Sequence, residues 1–187
     1  MFLTTAPRRV SPYGVGMAEQ TAAVVASNPP EPVMKVMNRA LRYLLPTPLG
    51  GGPLKDFMVV NFTGRKSGRP YSIPVSAHLV DGVLYALAGS TWKLNFRGGG
   101  PAQVVHGGRT RAMRGELIED PAEVAALFHR CASGYGPGRA QRLMGVKFRE
   151  PRVPTVDEFR QVVDANNFVA IRFTAPDTPL PLDGRPS

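Results

Sequence analysis

The sequence predicts an α+β fold, mainly β: an antiparallel barrel or sandwich with a few helices packed on it. Three observations carry that expectation. Short apolar or alternating runs recur between residues 57 and 118, and Asp81-Gly82 and Gly107-Gly108 mark tight turns within them. Two helix-start signals, Asp120 with Glu123 and Thr155 with Glu158, then precede amphipathic segments. Finally, 187 residues of which 43% are hydrophobic and 20% charged can bury one proper core.

The elements follow in order. Residues 1–31 are rich in Ala, Val, Pro and Thr without sustained periodicity and read as a flexible arm. Met17 is an alternative start, which would make the first 16 residues dispensable. From Pro32 to Leu45 the period changes: Val33, Met37, Ala40, Leu41, Leu44 and Leu45 share one helical face, and Lys35, Asn38, Arg39 and Arg42 the other. Pro46-Thr47-Pro48 ends this helix. A basic amphipathic helix can pack on its own domain or lie on an anionic membrane, and both readings stay open.

Strands are expected at 57–62, at 70–80 with two prolines that suit an edge or bulge, and at 83–88. Two more are expected, Ala102 to His106 and Arg109 to Ile118. Asp120 caps the next helix, Pro121 suits its first turn and Glu123 completes a capping box; Val124, Leu127, Phe128 and Cys131 form its apolar side to about Ala132. The Gly-, Pro- and Arg-rich stretch 134–154 shows no clear element. A short helix follows from Thr155 to about Ala165. A final strand, 168–173, is apolar on both faces and so suits a central position. The domain expectation is a single unit at 32–174, with 175–187 a disordered Pro-rich tail.

A formal charge of +9 implies attraction to polyanions: nucleic acid, an anionic membrane or an acidic cofactor. No helix concentrates the cations and few aromatics interleave them, so no nucleic-acid partner is expected. The single cysteine, Cys131, excludes an internal disulfide and a cysteine-built metal site, and on a helix it reads as a small buried thiol. His78, His106 and His129 lack metal-ligand spacing, so no metal site is expected. Glu116, Glu119 and Asp120 read as structural, at a strand end and a helix cap. No apolar run approaches the ~18 residues of a membrane span. The N-terminus lacks the pattern of a signal peptide. A cytoplasmic location is therefore expected, peripheral to the membrane if residues 32–45 touch it.

Two segments carry chemistry. Thr63-Gly64-Arg65-Lys66-Ser67-Gly68 follows the strand Phe57-Met58-Val59-Val60-Asn61-Phe62. Its glycines permit a tight turn with exposed N–H groups, and its cations and hydroxyls add anion contacts. A strand follows it, not a helix, which separates it from the nucleoside-triphosphate loops. The second segment, Ala88-Gly89-Ser90-Thr91-Trp92-Lys93-Leu94-Asn95-Phe96-Arg97, ends a strand in small residues and then carries the only tryptophan. Small residues there would let a ligand approach the backbone; equally, Trp92 and Leu94 could be core and Asn95 a cap.

Thr-Gly-Arg-Lys-Ser-Gly, a strand–Asp-Gly–strand hairpin, small residues, and Trp-x-x-Asn-x-Arg-x-x-Gly-Pro together resemble the deazaflavin-dependent nitroreductase family over about residues 35–135. The resemblance implies an antiparallel split β-barrel with an N-terminal amphipathic helix and two or three packing helices. It also implies hydride transfer from reduced coenzyme F-420 to a quinone, an enone or a nitro compound. FMN is a weaker candidate cofactor. That coenzyme is strongly anionic, which would account for part of the charge. By similarity, Gly64, Arg65, Lys66, Ser67 and Gly68 would hold its phosphate end through backbone N–H groups and charge-assisted bonds. Ala88, Gly89, Ser90 and Thr91 would border the ring, Trp92 would wall the pocket, and Asn95 would fix the turn that presents it. Split barrels of this kind often pair, so a homodimer is an expected state.

The sequence departs from that pattern after the barrel. Nitro-reducing relatives carry a Tyr-rich segment and an Arg-x-Ile-Pro-Val strand; here only Tyr135 remains, followed by a basic stretch from Arg139 to Arg152. Tyr135 could face a substrate or be a partly buried surface tyrosine. This altered region motivates an alternative reading, a non-catalytic split-barrel carrier of a fatty acid, a flavin or another ligand. No catalytic residue is assigned by the sequence.

Overall fold

The computed structural model describes residues 22–27, 39–47, 51–52 and 54–176. Strand β1 (Val24–Ala26) is followed by β2 (Phe57–Thr63), β3 (Pro70–Ser76), β4 (His78–Val80) and β5 (Val83–Ala88). A 3-10 helix (Thr91–Phe96) leads into β6 (Gly100–His106) and β7 (Arg109–Ile118). Helices α1 (Pro121–Tyr135) and α2 (Pro137–Met144), strand β8 (Val146–Phe148), helix α3 (Val156–Asn166) and strand β9 (Val169–Thr174) complete the described chain.

Seven strands form one antiparallel sheet in the order β3-β2-β6-β7-β9-β5-β4. Its two edge strands, β3 and β4, are consecutive in sequence with only Ala77 between them. The sheet must therefore curl until its edges meet, which makes an α+β split barrel. Sequence analysis expects one strand over 70–80. The structure bends it at Ala77, whose N–H leaves the ladder and donates to the Asp56 carbonyl at 2.8 Å. Pro70 and Pro74 lie on the edge half of that strand, where a missing donor costs no ladder bond. As expected from its two apolar faces, β9 is central, between β7 and β5.

Strand alternation sorts the core into two layers. Inside the barrel lie Met58, Val60, Phe62, Phe96, Val104, Ile171 and Phe173. Between the sheet's outer face and α1 and α3 lie Ile118, Val124, Phe128, Phe159, Val163 and Ala170. Each large apolar side chain so buried contributes about 1.5–3 kcal/mol relative to exposure. Residues 39–44 are helical, and Leu41 and Leu45 pack on Val59 and Val105, so this part of the amphipathic helix rests on its own barrel. Ala40 and Leu44, placed by periodicity on the same face, are exposed; residues 32–38 lie outside the described ones.

Several local readings are refined. Asp120 caps α1 through the Ala122 N–H at 3.0 Å, and Glu123 contributes its charge to the first turn without the reciprocal bond of a box. The helix runs on to Tyr135 and stops at Gly136, with φ at +74°. The box at α3 forms in full: Thr155 Oγ1 accepts from the Glu158 N–H at 3.3 Å, and Glu158 Oε2 accepts from the Thr155 N–H at 2.7 Å. The stretch 134–154, without a clear element in sequence, contains α2 and β8. Strand β8 pairs antiparallel with β1, so the stretch expected to be a flexible arm holds a strand at Val24–Ala26. The remainder of 1–31 and the tail from 177 lie outside the described residues, as does Met17.

Cys131 is buried on α1, and burial pushes its thiol up to about 12. The thiolate is the reactive form, so the native protein should resist a disulfide reagent at pH 8 while the urea-unfolded chain reacts at once. Stoichiometric labelling of native protein within minutes would contradict this burial.

Candidate functional site

The 63–68 loop is the turn of the β2–β3 hairpin, closed by Gly64 N–H to the Arg69 carbonyl (2.9 Å) and Gly68 N–H to the Gly64 carbonyl (2.8 Å). Gly68 sits at φ +63°, and a Cβ on Gly64 would lie 2.6 Å from both Ser67 Oγ and Tyr71 Cε2. The two glycines thus answer to different needs, a left-handed backbone and a close approach. Ser67 Oγ accepts from the Arg69 N–H at 3.3 Å. The Lys66 side chain and the N–H groups of Lys66 and Ser67 face solvent with no partner among the described residues.

Arg65 takes a different role from its neighbours. Its N–H donates to Asn95 Oδ1 at 3.0 Å, and its guanidinium donates to the carbonyls of Arg97 (2.5 Å) and Gly99. Asn95 in turn donates from Nδ2 to the Trp92 carbonyl at 2.8 Å. The two motifs, thirty residues apart, are therefore one unit. Asn95 bonds both the turn that carries Trp92 and the loop. The N–H groups of Gly64, Arg65 and Gly68 close the loop and its link to Asn95, and the Arg65 side chain clamps 97–99. Those of Lys66 and Ser67 have no partner among the described residues.

The second segment is built on packing. Ala88 is buried at the end of β5, and a Cβ on Gly89 would come 3.3 Å from the Phe168 ring. Ser90 and Thr91 are exposed at the start of the 3-10 helix, and Ser90 makes no side-chain cap. Trp92 is half-buried, stacked on Phe62 at 6.1 Å between centroids, and meets Phe96 edge-on at 6.0 Å. Phe62 stacks in turn on Tyr71 at 5.4 Å. Charged tethers hold the segment down. Lys93 Nζ donates to the Asn167 carbonyl at 2.5 Å, and Arg97 makes a two-point pair with Glu119 at 2.9 and 2.5 Å. Hydrogen bonding to Arg97 holds the Glu119 carboxyl below the usual carboxylate range. Glu116 pairs with Arg172 at 2.6 Å, so these carboxylates have the structural roles assigned from sequence.

Beside the loop, on the outer face of β2, β3 and β6, opens a cleft of about 700 Å3. Asn61, Thr63, Ser72 and Gln103 supply its polar groups and Arg42 the one charge among its described lining; Phe62 and Tyr71 border it, but alternation turns their stacked rings to the barrel-interior side of the sheet. Asn61 and Gln103 are directly paired across β2 and β6. Sequence analysis does not single out these amides. The available signal was that each interrupts an apolar strand, but their opposition depends on register. Ala88, Gly89, Ser90, Thr91 and Trp92 are not among the residues lining this cleft, and Trp92 stacks on Phe62 on the barrel-interior side.

Tyr135 lies apart, at the junction of α1 and α2. Its hydroxyl is 3.2 Å from His78 Nδ1, the Arg139 guanidinium lies 5.2 Å from its ring centre, and Arg139 is ion-paired with Asp56. Burial pushes the phenol up to about 12. Tyr135 is partly buried against the helical layer and is not among the residues lining the cleft beside the loop. Among the described residues no three His, Cys, Asp or Glu side chains converge on one point.

No protein-family model matches the sequence, and no curated protein does. Solved structures resemble it loosely. A conserved hypothetical protein of Mycobacterium tuberculosis (Rv2991) is 16% identical with a TM-score of 0.38, covering 82% of this chain and 83% of the other. The FAD and heme binding protein of Mycobacterium smegmatis is 19% identical with a TM-score of 0.39, covering 83% and 69%. A candidate 5-nitroimidazole antibiotic resistance protein of Bacteroides thetaiotaomicron is 10% identical with a TM-score of 0.36, covering 80% and 81%. Likeness at this level assigns no activity to the chain.

Proposed function

We propose that the protein is an oxidoreductase that binds reduced coenzyme F-420 and delivers hydride to a small organic acceptor such as a quinone, an enone or a nitro compound. The observation that carries this reading is the bond from the Arg65 N–H to Asn95 Oδ1, which joins the two motifs into one rigid edge beside the cleft. The residues present fit such a coenzyme. Among the described residues, Lys66 and the N–H groups of Lys66 and Ser67 are unengaged donors for a phosphate, and no described carboxylate lines the adjoining cleft to repel one.

When bound, the reduced deazaflavin supplies the hydride from its ring carbon. The chain's own residues bind and orient. Lys66 and Ser67 hold the anionic end, and Arg65 and Asn95 keep the hairpin against 95–99. Asn61 and Gln103 have donors and acceptors for a heteroaromatic edge. Hydride transfer to an activated acceptor asks no side chain to move a proton.

A fluorescence titration with F-420, FMN and FAD side by side tests the reading. F-420 should bind at micromolar concentration or tighter, and Lys66→Ala should weaken it about tenfold, the scale of one lost charge-assisted bond. Absence of F-420 binding by the wild-type protein would end the proposal. A different ligand retained through purification, seen by native mass spectrometry, would favour the carrier reading instead.

A further inference from the structure

The far end of the barrel holds a second cavity, of about 320 Å3, that shares no lining residue with the cleft beside the loop. Six positions of β6 separate Gly100, next to the Arg65 guanidinium, from His106 at this mouth; at about 3.3 Å per residue the two ends are some 20 Å apart. The cavity floor is apolar: Leu84, Val104, Met113 and Phe173, all packed with the barrel interior. Leu79, 63% exposed, stands at its rim.

Arg109 and Arg111 are the charged members of this lining. Strand alternation puts them on the same face of β7 as Met113, so they continue the inward-facing row to the open end. Neither makes an ion pair with a described residue, and no described carboxylate lines the cavity. His106 also lines the cavity, with Nε2 2.9 Å from the Lys55 carbonyl. An apolar recess with two guanidinium groups at its mouth complements an anion with an apolar body. Guanidinium forks bind carboxylate and phosphate oxygens in pairs, and the floor would take the rest. A volume of 320 Å3 is at the small end of ligand pockets, and at about 30 Å3 per water-sized group it takes about ten non-hydrogen atoms.

We propose that this mouth is a binding site for a small amphipathic anion, with Arg109 and Arg111 on its oxyanion and Leu84, Val104, Met113 and Phe173 on its apolar part. The bland account is that inward-pointing charges merely keep an open barrel end from associating with other chains, and it predicts no saturable site. The site stands whether or not F-420 binds at the other end.

Calorimetric titration of the full chain with decanoate, octyl phosphate and neutral decanol separates the accounts. We expect one-to-one saturable binding of at least one anion, with its headgroup preference identifying the oxyanion class, and binding of decanol at least tenfold weaker. The exposed pair Arg109→Gln/Arg111→Gln should lower anion affinity tenfold or more, and Lys66→Ala should leave it unchanged. Circular dichroism checks that the double variant is folded. The proposal is overturned if neither anion saturates, if decanol binds as well, if the double variant keeps wild-type affinity, or if Lys66→Ala abolishes the binding. A double variant that does not fold is replaced by single charge changes at each arginine, held to the same outcomes.

Discussion

Phe96→Ala should destabilise the protein by about 3–5 kcal/mol, the usual cost of emptying an aromatic site in a core. Phe96 is 1% exposed and is the hub of four aromatic rings. It meets Phe62 at 5.1 Å, Trp92 at 6.0 Å and Phe173 at 6.0 Å, each edge-on. Such pairs add about 0.5–1.5 kcal/mol apiece beyond buried area. The site cannot collapse easily, because its wall is set by Gly115, where a Cβ would lie 2.5 Å from the Phe96 ring. That glycine is small because the ring is there, so alanine at 96 leaves a void that neither partner can fill. For a chain of this size each kcal/mol moves the midpoint about 2–4 °C, so thermal denaturation followed by circular dichroism should fall by roughly 10 °C. Phe96→Leu refills most of the space and should recover the greater part of the loss. A midpoint within 2 °C of wild type, roughly 1 kcal/mol or less at this scale, would show that the ring cluster is not packed as described.

The features legible in the sequence were those with local causes. Asp81-Gly82 and Gly107-Gly108 gave hairpins because all four residues take positive φ, and the Thr155–Glu158 box formed because it spans three residues. Features made by distant partners stayed hidden. Strands β1 and β8 are three residues each, too short to alternate, and pair across more than a hundred residues. Helix α2 buries Ala140, Leu143 and Met144 at helical spacing, with Pro137 at its start and Gly145 beyond its end. In sequence its glycine and arginines disguise that pattern.

The candidate site divides in the same way. The loop and its glycines were readable from residue type. Arg65 was not, because a guanidinium reads alike in sequence whether it awaits a phosphate or two carbonyls. Its partners, Arg97 and Gly99, are brought to it by the pairing of β2 with β6. The Asn61–Gln103 pair depends on that same register. Small residues at 88–89 suggested ligand access; that Phe168, arriving from beyond α3, lies 3.3 Å from a Cβ at Gly89 depends on the fold and could not be read from them.

Stability should fall by roughly 3 kcal/mol as the pH drops from 6.5 to 4, through His78 alone. His78 is 1% exposed on β4 under α1, and burial lowers its pKa from 6.5 to about 4. The groups facing it are the Tyr135 hydroxyl, the Asp56 carboxylate and the Arg139 guanidinium paired to that carboxylate. Attraction from Asp56 opposes the lowering and does not overcome it. The sign follows from proton counts. Between pH 6.5 and 4 the unfolded chain binds a proton at this position and the folded chain does not, so acid favours unfolding. The contribution is whole above pH 6.5, and its slope cannot exceed about 1.4 kcal/mol per pH unit. Glu116, Glu119 and Glu158, held low by their arginines, lose their contributions only as the pH falls below the ordinary carboxylate range, so pH 6.5 to 5 separates His78 from them. Urea unfolding at pH 7, 6, 5 and 4.5 should show this slope, and His78→Asn, which keeps a polar atom near Tyr135 but cannot titrate, should flatten it. An equal slope in the variant would remove His78 as the cause. Because this bond ties β4 to the end of α1, acid should loosen the helical layer first and leave the Arg65–Asn95 edge, on the other side of the barrel wall, intact.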